Sequence, residues 1–288
     1  MKLNGHLQPD PLENTMWQCF QDGRFAQVDC ADQTSENRPP ILFIHGLEYS
    51  SPSEAIRELV VPILSAMGPN KILDRKIYLF FWNGLILKDK KINESFGSSH
   101  FYILKFLLKH IPVCGSRLKE IEQRAKHSSQ SLYTFAKSWL FGDKPGPIVI
   151  THSMGSLVWA EVINLALINS SAFKNPGVWW SMQPALVRSS LMKGGEYELV
   201  ADLYRNDQNA QSMLWYSKLD LILSSIYWLA KKGPALGQFG CPSNSLPQRD
   251  ITKWVKEAHG FNYLLTSLGP FTERIKHLID HEASLLGI

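Results

Sequence analysis

Pro147-Ile148-Val149-Ile150-Thr151-His152-Ser153-Met154-Gly155-Ser156-Leu157-Val158-Trp159 is the stretch on which the fold turns. The β-branched run Ile148 to Ile150 stops at His152-Ser153-Met154-Gly155, and an apolar helical pattern starts at once. β-branched residues favour a buried strand, and a strand that passes into a helix this abruptly must reverse through a tight turn. The residue at the apex of such a turn is thrust out of the sheet with its side chain exposed, and its neighbours must be small. Ser153 takes the apex and Gly155 one of the small positions; Thr151 takes the other, where glycine is commoner.

The surrounding chain supplies the sheet that such a turn needs. Ile41-Leu42-Phe43-Ile44 and Ile77-Tyr78-Leu79-Phe80-Phe81-Trp82 are uninterrupted apolar runs, the pattern of strands covered on both faces. Met16–Phe20 and Phe25–Val28 flank Gln21-Asp22-Gly23-Arg24, and the Asp-Gly pair predicts a hairpin. Ser53 is positioned to cap a helix that runs to about Met67 and ends at Gly68-Pro69. Helix Ser156–Ile168, strand Val178–Met182, strands Ser212–Tyr216 and Ile251–Lys256, and a last helix Phe271–Leu286 continue the alternation. Strand–helix alternation with fully apolar strands predicts an α/β fold: a mostly parallel central sheet with helices on both faces.

Composition narrows the class further. The 288 residues are 44% hydrophobic and 19% charged, as in an ordinary globular chain, and one domain over 1–288 is expected. Met1 to His6 lack the apolar core of a secretory signal, and no run nears the roughly 20 apolar residues of a membrane span. Cys19, Cys30, Cys114 and Cys241 show no C-x-x-C spacing, which favours reduced thiols and a cytoplasmic setting. The net charge of +4 gives no reason to expect nucleic acid. It is uneven, however: residues 85–144 hold eleven Lys/Arg and five Asp/Glu, so the rest of the chain sums to −2.

With its His-Ser-Met-Gly turn, the chain resembles the α/β-hydrolase superfamily, in particular its lipase and esterase branch. The resemblance implies an exposed nucleophilic serine, Ser153, activated by a histidine that an acid orients. In that fold the order along the chain is Ser, acid, His. Asp220, just beyond the strand Ser212–Tyr216, fits the acid. Asp250 is its rival but is expected to precede a strand, at the opposite sheet edge. His259, in His259-Gly260-Phe261-Asn262-Tyr263-Leu264-Leu265, fits the base and is expected directly after the last strand. The loop His45-Gly46-Leu47 after the strand Ile41–Ile44 implies an oxyanion hole from the Leu47 and Met154 backbone N–H groups, with His45 structural. His277 and His281 lie four apart on the last helix and read as a solvated face, so neither a metal nor a cofactor is expected.

Two stretches interrupt the alternation. A helical cap or lid is expected over 85–141, and a second small cap segment over 184–211. Ser99–Ile111 is a strongly apolar helix candidate ended by Pro112, too short to cross a bilayer. Together with the basic excess it implies a small-molecule or lipid acyl substrate and peripheral contact with a membrane. Trp159, Trp179 and Trp180 are candidates to line an apolar pocket. The reading is therefore a serine hydrolase of hydrophobic acyl esters or thioesters. An acyltransferase using the same residues and a non-catalytic binding protein on the same fold share the pattern.

Overall fold

The computed structural model describes residues 14–20, 24–29, 38–47, 49, 51–82, 84, 111–169, 173–231, 233–242, 246–255, 259 and 270–288. Its frame is an eight-stranded sheet of β1 (Thr15–Cys19), β2 (Phe25–Val28), β3 (Ile41–Ile44), β4 (Ile77–Phe81), β5 (Ile148–His152), β6 (Gly177–Met182), β7 (Ala210–Tyr216) and β8 (Gln248–Asp250). Apolar residues on both faces explain why the inner strands lack polar alternation. Leu42 and Ile44 of β3 enter one core, and Ile41 and Phe43 the other. Tyr78 and Phe80 of β4 likewise oppose Ile77, Leu79 and Phe81, and Trp179 of β6 opposes Trp180. Burying each such large side chain contributes about 1.5–3 kcal/mol.

Spatial order along the sheet is β2-β1-β4-β3-β5-β6-β7-β8. The run β4-β3-β5-β6-β7-β8 is parallel, and β1 pairs antiparallel with β2 and β4. Because β3 lies between β4 and β5, the chain changes its direction of travel across the sheet there. The crevice at the carboxyl ends of such strands is where open α/β sheets build their sites.

Helices cover both faces. On the first face lie α2 (Ile111–Leu140), α3 (Gly155–Asn169) and α4 (Glu198–Asn206). On the second lie α1 (Val61–Met67), which continues Pro52–Ala55 and a π-helical turn at Ile56–Val60, and α5 (Pro270–Leu285). The cap of the 52–67 run is Ser51, not Ser53: its Oγ accepts the Glu54 N–H at 3.3 Å, and Pro52 follows at the first helical position, where its missing N–H costs nothing.

Leu132, Ala136 and Leu140 of α2 are fully buried, with Tyr133, Phe135 and Trp139 packed around them. Residues 85–110 of the stretch 85–141, including residues 99–110 of the apolar candidate, lie outside the described residues. In 184–211, a 3-10 turn at Arg188–Leu191 leads to α4, whose Val200, Ala201 and Tyr204 join the first core. Among the described residues no helix is long and apolar enough to cross a membrane.

The end of the sheet departs from the sequence reading. The last strand is Gln248–Asp250, and Thr252–Val255 is one helical turn, not a strand. A short apolar run cannot by itself distinguish strand from helix. Here Asp250 decides it, because its Oδ1 accepts the Thr252 N–H at 2.9 Å and starts a turn. Asp250 therefore closes β8 rather than preceding a strand, and a helical turn separates that strand from His259. Of the tryptophans, Trp159 and Trp180 are completely buried within the cores, whereas Trp179, nearly as buried, also lines a small apolar cavity with Leu186, Leu191 and Leu236.

Candidate active site

Local geometry at the end of β5 is unusual in one respect. Ser153 has φ +51°, in the left-handed region that residues with a Cβ adopt at a cost. Such a conformation costs on the order of 1–3 kcal/mol and persists only where its surroundings over-determine it. They do so here. The Ser153 N–H donates to Met182 O at 3.1 Å, while Ser153 O accepts from Ser156 N at 3.1 Å and Ala185 N at 3.1 Å. Met154 O accepts from Leu157 N and Val158 N, so α3 begins at once.

The small residues around the turn are explained by what they meet. A Cβ on Gly155 would stand 2.7 Å from His45 O and 2.9 Å from Ile44 C, and closer still to Ile44 O. The turn thus packs backbone to backbone on β3. Thr151 fits in place of glycine because its hydroxyl is fully used. Thr151 Oγ1 accepts from Trp179 Nε1 at 3.0 Å and shares a hydrogen bond with Ser156 Oγ at 2.9 Å, which in turn meets Ser181 Oγ at 2.9 Å. A strand feeding a serine at positive φ into a helix, at the switch point of this sheet, is decisive. The chain has the α/β-hydrolase fold.

Two distant segments converge on that serine. His259 Nε2 lies 2.8 Å from Ser153 Oγ, and His259 Nδ1 lies 2.6 Å from Asp220 Oδ2. Ser153, Asp220 and His259 are all buried, Asp220 completely. An ionised carboxylate only accepts, so the proton between Asp220 and the ring belongs to Nδ1. That tautomer leaves the Nε2 lone pair facing the serine hydroxyl. Asp220 Oδ2 also receives the Gln183 side-chain amide at 2.8 Å, and Oδ1 the Leu223 N–H at 3.0 Å. The sequence reading missed Gln183. A buried glutamine after an apolar strand carries no sequence signal, and only the neighbouring strand end gives it a role.

Asp250, the rival acid, is at the same end of the sheet but otherwise engaged. Its carboxylate accepts from Thr252 N and Oγ1 and pairs with Lys218 at 2.9 Å. On the other side of Ser153, a Cβ on Gly46 would stand 3.0 Å from Ser153 Cβ, so the His45-Gly46-Leu47 loop lies beside the hydroxyl. The Leu47 and Met154 N–H groups make no hydrogen bond to another described residue. His45 is anchored away from the serine. Its Nε2 accepts the Trp82 N–H at 3.1 Å, its Nδ1 meets Gly46 O, and Trp82 Nε1 donates to His45 O at 2.9 Å. The acidic neighbours of His277 and His281 face cations: Glu273 pairs with Lys276 and Asp280 with Lys71.

No family model matches the chain, and no curated protein matches it. Among solved structures it overlaps an esterase, EstE5, at 12% identity and a TM-score of 0.44, over 95% of this chain and 85% of that one. An esterase from the bacterial hormone-sensitive lipase family overlaps at 12% identity and 0.43, over 97% and 86%. Carboxyl esterase 2 of the mycorrhizal fungus Tuber melanosporum gives 12% and 0.43, over 98% and 90%. At these scores the overlaps carry no weight, and the fold stands on the sheet order and the turn at Ser153.

Proposed function

We propose that the protein is a serine hydrolase that cleaves carboxylic esters, or thioesters, of hydrophobic acyl chains. The observation that carries the reading is the buried hydrogen-bonded line Ser153–His259–Asp220. A serine hydroxyl is a weak nucleophile until an imidazole takes its proton. In the first step Ser153 Oγ attacks the carbonyl carbon while His259 Nε2 accepts the hydroxyl proton. The carbonyl oxygen becomes an oxyanion facing the Leu47 and Met154 N–H groups, each worth on the order of 100- to 1,000-fold in rate. Collapse breaks the bond to the leaving alcohol or thiol, which takes the proton from Nε2. Water then repeats the sequence on the acyl-enzyme and releases the acid. Asp220 holds the ring in one tautomer and stabilises the imidazolium throughout.

The apolar acyl group is supported by Leu219, Leu221 and Trp228, large exposed apolar residues in the segment that begins beside Asp220. Contact of the basic stretch 85–141 with an anionic membrane belongs to the same reading, and sedimentation with phosphatidylserine vesicles tests it. The test of the chemistry is labelling by a fluorophosphonate together with hydrolysis of p-nitrophenyl esters from acetyl to long acyl. Wild type should label, whereas Ser153→Ala should not, and Ser153→Ala and His259→Ala should each lose at least about 1,000-fold in kcat. Persistent labelling of Ser153→Ala would refute the assignment of the nucleophile. A flat profile from acetyl to long acyl would refute the hydrophobic substrate.

A further inference from the structure

We propose that Gln183 is a positioning residue for the acid of this site, a role that rests on the reading of Ser153, His259 and Asp220 as one unit. Gln183 is the residue after β6, as Ser153 is the residue after β5. Both have positive φ, +45° for Gln183 and +51° for Ser153, and His152 pairs with Met182 in the register between the two strands. Each donates its N–H to the end of the next strand, Ser153 to Met182 O at 3.1 Å and Gln183 to Trp215 O at 2.9 Å. Asp220 follows the end of β7. Nucleophile, amide and acid are therefore mounted on three successive strand ends.

Gln183 is completely buried, and its left-handed backbone is locked from outside. A Cβ on Gly237 would stand 2.7 Å from Pro184 N and closer to Gln183 C, and Gly237 N donates to Pro184 O at 2.9 Å. A completely buried residue with a Cβ, held at a strained φ, marks a place where the side-chain direction matters. The direction here is toward Asp220. Because a carboxylate has no proton to give, the amide group facing it must be the NH2, which fixes the amide orientation. Gln183 Nε2 donates at 2.8 Å to Oδ2, the oxygen that also accepts His259 Nδ1–H at 2.6 Å.

Two donors on one oxygen and the Leu223 N–H on the other leave the carboxylate a single orientation. They also set how strongly it holds the proton on the ring. With the amide gone, more negative charge on Oδ2 faces Nδ1–H, so the imidazolium is stabilised and His259 stays protonated to higher pH. Among the described residues His152 also packs against that ring, with centroids 5.2 Å apart, and the substitution leaves it in place.

Gln183→Met keeps the length without a donor, and Gln183→Gly removes the side chain while relieving the positive φ. Two readouts are needed: pH profiles of kcat and KM on a p-nitrophenyl ester, and 15N NMR titration of the His259 ring. Both variants should lose roughly 10- to 100-fold in kcat, as supporting hydrogen bonds to active groups commonly do, with KM within about twofold. The ring titration and the acid limb of kcat should both move up by about half a pH unit. A variant that melts like wild type but keeps an unshifted ring titration overturns the proposal, as does a kcat loss with no shift in either variant. If wild type itself shows no turnover while the ring titration still moves in the variants, the hydrolase reading fails and the positioning of Asp220 stands.

Discussion

Replacing Gly155 with alanine tests the seat of the serine turn on the sheet. The added methyl would meet backbone on one side, 2.7 Å from His45 O, 2.9 Å from Ile44 C and nearer still to Ile44 O. Ordinary carbon contacts begin near 3.5 Å, so those atoms must retreat by roughly half an ångström to slightly more than one. They cannot swing aside as a side chain could, because β3 is hydrogen-bonded on both flanks, to β4 and β5. Overpacking costs typically 1–3 kcal/mol, and a rigid backbone neighbour puts this site near the upper end. Alanine returns about 1 kcal/mol in helix propensity at the start of α3. The net loss is about 2 kcal/mol, or a fall in Tm of roughly 4–8 °C for a chain of this size.

Activity should fall further than stability. His45 leads into Gly46 and Leu47, and Gly46 packs directly on Ser153, so a displaced Ile44–His45 backbone moves the Leu47 N–H that the proposed mechanism uses as an oxyanion donor. A loss on the order of 100-fold in kcat is expected. Scanning calorimetry and ester hydrolysis at a temperature where both proteins are folded are the measurements. Gly194→Ala is the control: φ is +77° and its Cβ would meet nothing within 4 Å, so it should cost stability without touching turnover. A Gly155→Ala protein as stable as wild type, with kcat within about threefold, would show that the turn does not rest on β3.

Two further outcomes concern the charged residues of β8, Arg249 and Asp250. Glu282 is completely buried and ion-paired with Arg249, so Arg249→Met should cost about 3 kcal/mol in urea melts, and Arg249→Met with Glu282→Leu should recover most of it. Burial raises the Asp250 carboxyl, but hydrogen bonds from Thr252 and the Lys218 ammonium outweigh it and hold the group below its ordinary value. A depressed carboxyl contributes stability that is complete above its unfolded value and is lost as pH falls through the folded one. Tm should therefore fall more steeply below about pH 4 in wild type than in Asp250→Asn. Parallel acid slopes would refute that linkage.

Elements buried on both faces were legible because their burial leaves a local mark. Ile41–Ile44 and Ile77–Phe81 are apolar at every position, so neither needed tertiary information to be read as a strand. The strand Gln248–Asp250 was not legible: among the described strands it pairs with β7 alone, is three polar residues long and is half-buried throughout. The apolar residues just after it read as a strand in sequence but form a helical turn, so Asp250 ends a strand and stands at the same sheet edge as the site. Asp220 remained the better candidate for a different reason, its distance from His259 against the engagement of Asp250 with Lys218 and Thr252.

The chain by itself determined the turn at Ser153 and the apolar strands, because each is written in neighbouring residues; the order serine, acid, histidine came from the family resemblance. Only the tertiary structure decided which carboxylate meets the imidazole, that Trp159, Trp179 and Trp180 fill the cores, and that Gln183 shares an oxygen with His259. Those outcomes depend on the register between strands far apart in the chain, and local residue preferences do not encode the distance between two strand ends.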